Sequence, residues 1–77
     1  MQIFIRNNTT LTFDFNPTDT IAYVKETYFQ KTGIPSEYVI MSCNGKFLKD
    51  TKQLSEYNIT DTNTIHITIR MPVKSEY

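Results

Sequence analysis

The chain is poor in the residues that build several common kinds of functional site. Its 77 residues include one cysteine, one histidine, two glycines and no tryptophan. A single cysteine leaves no disulfide framework and no cysteine-based metal site, and two isolated glycines form no glycine-rich phosphate loop. We therefore predict that the chain is not an enzyme and holds neither a metal nor a cofactor.

An excess of one charge and a long apolar run are lacking as well. Eight basic residues balance eight acidic ones, so the formal net charge is zero. Binding to nucleic acid or to an anionic membrane depends on summed positive charge, and a membrane-spanning helix needs about 18 apolar residues in a row. The sequence thus predicts no nucleic-acid partner and no membrane association. Because its polar start is also unlike a secretory signal, we expect the chain to lie in the cytoplasm, the nucleus or both. We also expect it to be a monomer.

What the sequence does contain is a clear alternation of apolar residues with mostly polar ones at its start. The odd-numbered positions from Met1 to Ile5 and from Leu11 to Phe15 are apolar. Asn7 and Asn8 lie between the two runs, and asparagine tolerates the positive φ of a tight turn. Residues 1–6 and 9–15 are therefore predicted to form an antiparallel hairpin with one apolar face.

A helix is predicted next. Ile21, Val24 and Tyr28 recur with helical spacing, and Gly33 supplies a stop signal. These signals indicate an amphipathic helix over residues 20–32.

Three further strands are predicted, at 38–43, 46–48 and 64–70, with an Asn44-Gly45 turn between the first two. Cys43 shares its parity with Val39 and Met41, so it is expected to be a buried, unreactive thiol with a raised pKa. The order of elements, β-β-α-β-β-β, indicates an α+β domain with one helix on one sheet.

The segments MQIF, PTDTI, GIP, NGK, LKD, LSEYNI and IHI occur in the same order as in ubiquitin, which residues 1–71 resemble. The first hairpin is two residues shorter than in ubiquitin. The resemblance implies a ubiquitin-like β-grasp, in which a mixed five-stranded sheet of order 2-1-5-3-4 curls around one α-helix. It also implies a ubiquitin-like domain over 1–71, with 72–77 as a tail or the start of a linker.

The resemblance implies structural roles for three residues. Lys25 lies on the apolar stripe of the helix, and the matching lysine of the family reaches an aspartate that corresponds to Asp50. We predict a largely buried ion pair between them. Tyr57 matches a tyrosine whose hydroxyl fixes its own loop, here through a backbone group near Lys49.

The tail departs from the pattern of conjugated family members, which end in Gly-Gly. Arg70 matches the arginine before that tail, but Met71, Pro72 and Val73 follow it. Proline stiffens the backbone, and valine is β-branched. We therefore predict that the chain is not conjugated, and MPVKSEY is either a linker or a free end.

The main recognition face of ubiquitin is an apolar trio, which is changed here. The turn member is lost with the shortened hairpin, and the two strand members are Ser42 and Thr68. Ile40 has the outward parity of this face, and Phe47 lies just past the Asn44-Gly45 turn. These two residues suggest a different apolar patch. The predicted partner-binding residues are Arg6, Ile40, Ser42, Lys46, Phe47, His66, Thr68 and Arg70, and a smaller second surface comprises Gln2, Phe4, Thr10 and Thr12.

Two interpretations of the main face remain open: a solvated surface with two ordinary exposed apolar residues, or a docking surface with a new specificity. For the whole protein, the resemblance favours a non-conjugated protein-interaction module at the N-terminus of a larger protein of the ubiquitin–proteasome or chaperone pathway. Its partner would be a proteasome receptor, a ubiquitin-binding domain, a chaperone or a deubiquitinase. The alternative is a stand-alone divergent ubiquitin-like protein that acts as a noncovalent modulator or decoy.

Overall fold

The structure is a computed structural model that describes residues 1–70. Its helix and strands are β1 (Gln2–Asn7), β2 (Thr9–Asp14), α1 (Ile21–Thr32), β3 (Val39–Cys43), β4 (Lys46–Phe47) and β5 (Thr64–Ile69). Two 3₁₀ turns, Ser36–Tyr38 and Leu54–Tyr57, complete the described part. Each predicted element is present, with ends that differ by a residue or so. The predicted tail at 72–77 lies outside the described residues.

The strands form one sheet in the order β2-β1-β5-β3-β4. β1 and β5 are parallel neighbours, and the other pairs are antiparallel. This is the mixed sheet of the ubiquitin-like β-grasp, and the predicted α+β class and strand order are confirmed.

The register of the first hairpin follows from its hydrophobic pattern. Ile3 pairs with Phe13, and Ile5 pairs with Leu11, so apolar residues face apolar residues across the ladder. A register shifted by one residue would place apolar residues opposite threonines on the wrong face. The pairing extends to Asn7 and Thr9, and Asn8 alone makes the turn with a φ of 56°.

Both ends of α1 are capped, the C-terminal end by the glycine that the sequence indicates. The Oγ1 atom of Thr20 accepts a hydrogen bond from the backbone N–H of Tyr23 at 3.2 Å. At the other end Gly33 has a φ of 78°, and its N–H donates to the carbonyl of Phe29 at 2.7 Å. Caps of this kind satisfy backbone groups that the helix itself cannot pair.

The core lies between α1 and the inner face of the sheet. Every second residue of β3 is buried, and the helix contributes the 21–24–28 stripe. The buried apolar residues are Ile3, Ile5, Phe15, Ile21, Val24, Tyr28, Val39, Met41, Cys43, Leu48, Leu54, Ile59, Ile65 and Ile67.

Cys43 belongs to this core, as expected. Its Sγ atom lies 3.2 Å from the carbonyl oxygen of Thr64. Burial raises the pKa of the Cys43 thiol, and a hydrogen bond from the backbone of Asn44 offsets part of that effect.

The loop after β4 docks on the start of the helix. The backbone N–H groups of Ile21 and Ala22 donate to the carbonyls of Lys52 and Asp50, at 2.9 and 3.1 Å. These bonds satisfy helix N–H groups that have no partner within the helix. The hydroxyl of Tyr57 accepts a hydrogen bond from the backbone N–H of Lys49 at 2.8 Å, which holds the same loop.

The ion pair between helix and loop differs from its prediction in one respect. Lys25 Nζ lies 2.7 Å from Asp50 Oδ1, but the two side chains are 12% and 57% exposed. The prediction of a largely buried pair is therefore wrong for Asp50. The lysine stem packs at the core edge, while the aspartate stands in the loop, where water reaches it.

Candidate protein-interaction surface

One row of residues crosses all five strands on the outer face of the sheet. Thr10 pairs with Arg6, Arg6 with His66, His66 with Ser42, and Ser42 with Phe47. Residues that are directly opposite each other in a sheet share a face. The row is therefore continuous from β2 to β4, and we call it the central row.

Two apolar side chains stand at the β3–β4 end of this face. Phe47 is 75% exposed, and Ile40 on β3 is partly exposed. Ile40 pairs with Thr68 and is the diagonal neighbour of Phe47 across the ladder. Diagonal neighbours of this kind are about 7–8 Å apart, within reach of an aromatic ring.

Of the eight residues predicted for the main face, seven share the outer parity and one does not. Arg70 follows β5 with the parity of His66 and Thr68 and is exposed. Lys46 instead pairs with Cys43, which is buried on the inner side. Its side chain therefore does not share the outer parity, and its role in partner binding stays a prediction. It is an exposed residue at the rim, beside the β3–β4 turn.

The second predicted surface adjoins the first. Phe4 pairs with Thr12, and Gln2 pairs with Asp14, on the same outer face as Arg6 and Thr10. Gln2, Thr10 and Thr12 are exposed, whereas Phe4 is only partly exposed. Because Thr10 and Arg6 belong to the central row, the two predicted surfaces are one continuous face.

The charges on this outer face are mainly positive. Arg6 and Arg70 are exposed on it, with His66 between them. Among the described residues, Asp14 is the carboxylate of this parity on β2, and the N-terminal ammonium lies 3.1 Å from it. The face thus combines an apolar end at Ile40 and Phe47 with exposed basic side chains at Arg6 and Arg70.

Neither a metal-binding cluster nor a membrane-spanning helix is found among the described residues. No group of three His, Cys, Asp or Glu side chains in residues 1–70 is placed to bind a metal ion. Within the same range, no helix is long and apolar enough to cross a membrane.

Two exposed aromatic residues on α1 were not predicted as site residues. Tyr23 is 53% exposed and Phe29 is 39% exposed. Both lie next to the 21–24–28 stripe and not on it, so the helical spacing alone was a signal that they face outward.

Comparison with known proteins places the chain in a family. The Ubiquitin family model matches residues 3–72, so the chain belongs to the ubiquitin family. Members of this family generally act as modifiers or binding modules.

Three relatives illustrate the range of lengths. The chain is 35% identical to human ubiquitin D over 66 residues, which are 86% of this chain and 40% of that protein. It is 34% identical to the ubiquitin-like protein NEDD8 of Dictyostelium discoideum over 58 residues, 75% of each chain. It is 44% identical to the ubiquitin-like domain-containing protein CIP73 of Lotus japonicus over 41 residues, 53% of this chain and 6% of CIP73. The chain thus spans less than half the length of ubiquitin D and a small part of CIP73.

Proposed function

We propose that this chain is a non-conjugated ubiquitin-like interaction module, with its domain over 1–71, that binds a protein partner through the outer face of the sheet. The observation that carries the proposal is the exposure of Phe47 beside Ile40, within a face on which Arg6 and Arg70 are also exposed. Burial of a large aromatic side chain that is three-quarters exposed contributes strongly to the free energy of binding a partner. Isolated exposed apolar residues are common, so adjacency and charge together support a docking surface.

The specificity of this face would differ from that of ubiquitin. Ser42 and Thr68 stand where ubiquitin has branched aliphatic residues, each worth about 1.5–3 kcal/mol when fully buried. Micromolar recognition amounts to only about 8 kcal/mol in total. A loss of this size would remove ordinary receptor binding, and Ile40 and Phe47 would have to supply its replacement.

The first test is an NMR titration of the labelled chain with a ubiquitin-interacting helix. We expect affinity at least about tenfold weaker than that of ubiquitin. The double variant Ser42→Ile, Thr68→Val should recover part of the loss, because it restores apolar burial, while Phe47→Ala should weaken what binding remains. Affinity equal to that of ubiquitin would contradict the changed specificity, and shifts centred on α1 would contradict the outer sheet face as the binding surface.

Absence of conjugation has a separate test. The residues that follow Arg70 are Met71, Pro72 and Val73, where conjugated relatives carry their glycines. We expect no adduct after incubation with a ubiquitin-activating enzyme and ATP, with ubiquitin as the positive control. A thioester that hydroxylamine cleaves would refute this part.

Two settings for the module are supported by different relatives. The greater lengths of ubiquitin D and CIP73 favour a domain of a larger protein. By the resemblance we place it at the N-terminus of a protein of the ubiquitin–proteasome or chaperone pathway. The similar length of the NEDD8 relative favours a stand-alone modulator or decoy. Reading the gene beyond the codon for Tyr77 separates the two, because a stop codon there would leave only the second.

A further inference from the structure

A groove lies on the helix side of the molecule, away from the outer face of the sheet. After α1 ends at Thr32, Gly33 turns the chain and the segment 35–37 runs beside the last turns of the helix. The groove between them has a volume of about 300 Å³ and is lined by Glu26, Phe29, Pro35, Ser36 and Glu37.

The groove combines apolar rings with negative charge. The ring of Phe29 is 39% exposed, and Pro35 adds a second apolar surface. Glu26 and Glu37 are both exposed. Within residues 1–70 neither carboxylate forms an ion pair, although Glu26 Oε2 accepts a hydrogen bond from Gln30 Nε2 at 3.4 Å.

We propose that this groove binds an arginine side chain from an extended segment of a protein partner. A guanidinium group stacks on an aromatic face and pairs with carboxylates through its planar fork, so one arginine uses Phe29, Glu26 and Glu37 together. Its aliphatic stem packs against Pro35. The volume is at the lower end of ligand sites, which fits one side chain and not a larger molecule.

Charge complementarity decides against the other kinds of partner. Two carboxylates repel the phosphates of a nucleic acid or a lipid headgroup. A purely apolar segment would leave both carboxylates desolvated and unpaired at its edges. The site is separate from the basic outer face of the sheet, so the domain has two surfaces of opposite preference.

The test is an NMR titration of the labelled full chain with two blocked peptides, Gly-Leu-Arg-Leu-Gly and the same peptide with citrulline in place of arginine. Citrulline has the shape of arginine without its charge. We expect the arginine peptide to shift the backbone amides of residues 26–37 saturably, with a dissociation constant in the millimolar range. The citrulline peptide should bind at least about fivefold more weakly, and added salt should reduce the difference.

Matched variants separate a local effect from one of overall charge. The double variant Glu26→Gln, Glu37→Gln should lower the affinity for the arginine peptide to that for the citrulline peptide. Glu56→Gln, which removes a charge elsewhere and keeps a hydrogen-bond acceptor for the N–H of Gln53, should leave it within about twofold. Phe29→Leu should weaken arginine more than citrulline, because it removes the ring.

Three outcomes would overturn the proposal. Equal binding of the two peptides would indicate an apolar partner without a charge requirement. Shifts centred on the outer sheet face, or an arginine peptide that causes no saturable shift at residues 26–37, would show that the groove does not take an arginine. Failure of the groove proposal would not contradict the sheet-face proposal, which is tested with a different ligand.

Discussion

At the scale of single residues, Lys25 shows how one ammonium group is accommodated at the edge of an apolar core. Its side chain is 12% exposed, and its Nζ atom is 2.7 Å from a carboxylate that is itself 57% exposed. A pair that is buried at both ends costs about 3–5 kcal/mol when one partner is removed, and a fully exposed pair is worth about 0–1 kcal/mol. The contribution of this half-buried pair to stability is therefore expected to lie between these two limits.

We predict that Asp50→Ala lowers the free energy of unfolding by about 1–2 kcal/mol. Lys25→Ala should cost more, because the packing of the stem is lost with the charge, and Lys25→Met should cost less than Lys25→Ala. Urea denaturation measures all three. Lys52→Ala is the control, because its pair with Glu56 is about half exposed at both ends and such exposed pairs contribute little to stability. If Asp50→Ala cost no more than this control, the pair would have no structural role.

Cys43 is the second residue whose environment determines its chemistry. Because burial raises the pKa of its thiol above the ordinary value of 9.0, the native state holds the thiol proton more tightly than the unfolded state does. The associated stability is fully present below about pH 9 and is lost as pH rises through the raised native pKa. We predict that the free energy of unfolding falls less steeply above pH 9 in Cys43→Ala than in the wild type. Parallel alkaline slopes in urea titrations would contradict the assignment.

The same burial predicts slow reaction of Cys43 with a thiol reagent. Thiolate is the reactive form, and the reagent reaches Sγ only when the structure opens. We expect modification of the native chain to be at least about a hundredfold slower than modification of the chain unfolded in urea. Similar rates in the two states would show that Cys43 is accessible.

At the scale of elements, residues in the left-handed backbone conformation end the helix and form the turn between β3 and β4. Gly33 ends α1 at a φ of 78°, and Asn44 and Gly45 connect β3 to β4 at 54° and 79°. Space is not the reason for glycine at either place, since a Cβ atom at Gly33 or Gly45 would meet nothing within 4 Å. The cost of a side chain there is the backbone conformation itself.

We predict that Gly33→Ala lowers the free energy of unfolding by about 1 kcal/mol and that Gly33→Asn costs clearly less, since asparagine adopts the left-handed region more readily than alanine. Thermal or urea denaturation of both variants measures the difference. Equal costs for alanine and asparagine would mean that the conformation is not the cause.

At the scale of the whole molecule, one core joins α1 to all of the strands except the exposed β4. Ile65 and Ile67 of β5 lie in it, and β5 is the central strand between β1 and β3. The domain therefore depends on its last described strand.

We predict that a chain that ends at Met71 keeps the free energy of unfolding within about 0.5 kcal/mol of the full chain. A chain that ends at His66 should fail to fold, because it lacks a buried isoleucine and most of the β3–β5 ladder. Circular dichroism with urea titration compares the two truncations. A large loss in the longer chain would place part of the domain beyond residue 71.

The sequence alone was sufficient for the elements, the sheet order implied by the resemblance and the parity of most side chains. Alternation is a local property, so the buried side of Ile3, Met41 and Ile67 follows from the order of residues. The stop signal at Gly33 is local as well. The outer parity of seven of the eight residues predicted for the main face follows for the same reason, whereas their binding of a partner stays a prediction.

Only the tertiary structure decided how these local features meet. The parallel register of β1 with β5 joins residues about 60 positions apart in the chain, so it alone places Arg6 beside His66 and merges the two predicted surfaces. The β3–β4 register places Lys46 opposite Cys43, which removes it from the outer face. The exposure of Asp50 and the groove beside Phe29 depend on where a loop and a turn settle against the helix. The parity of a side chain is set by its neighbours in sequence, whereas register and loop exposure are set by contacts between distant segments, which no local pattern contains.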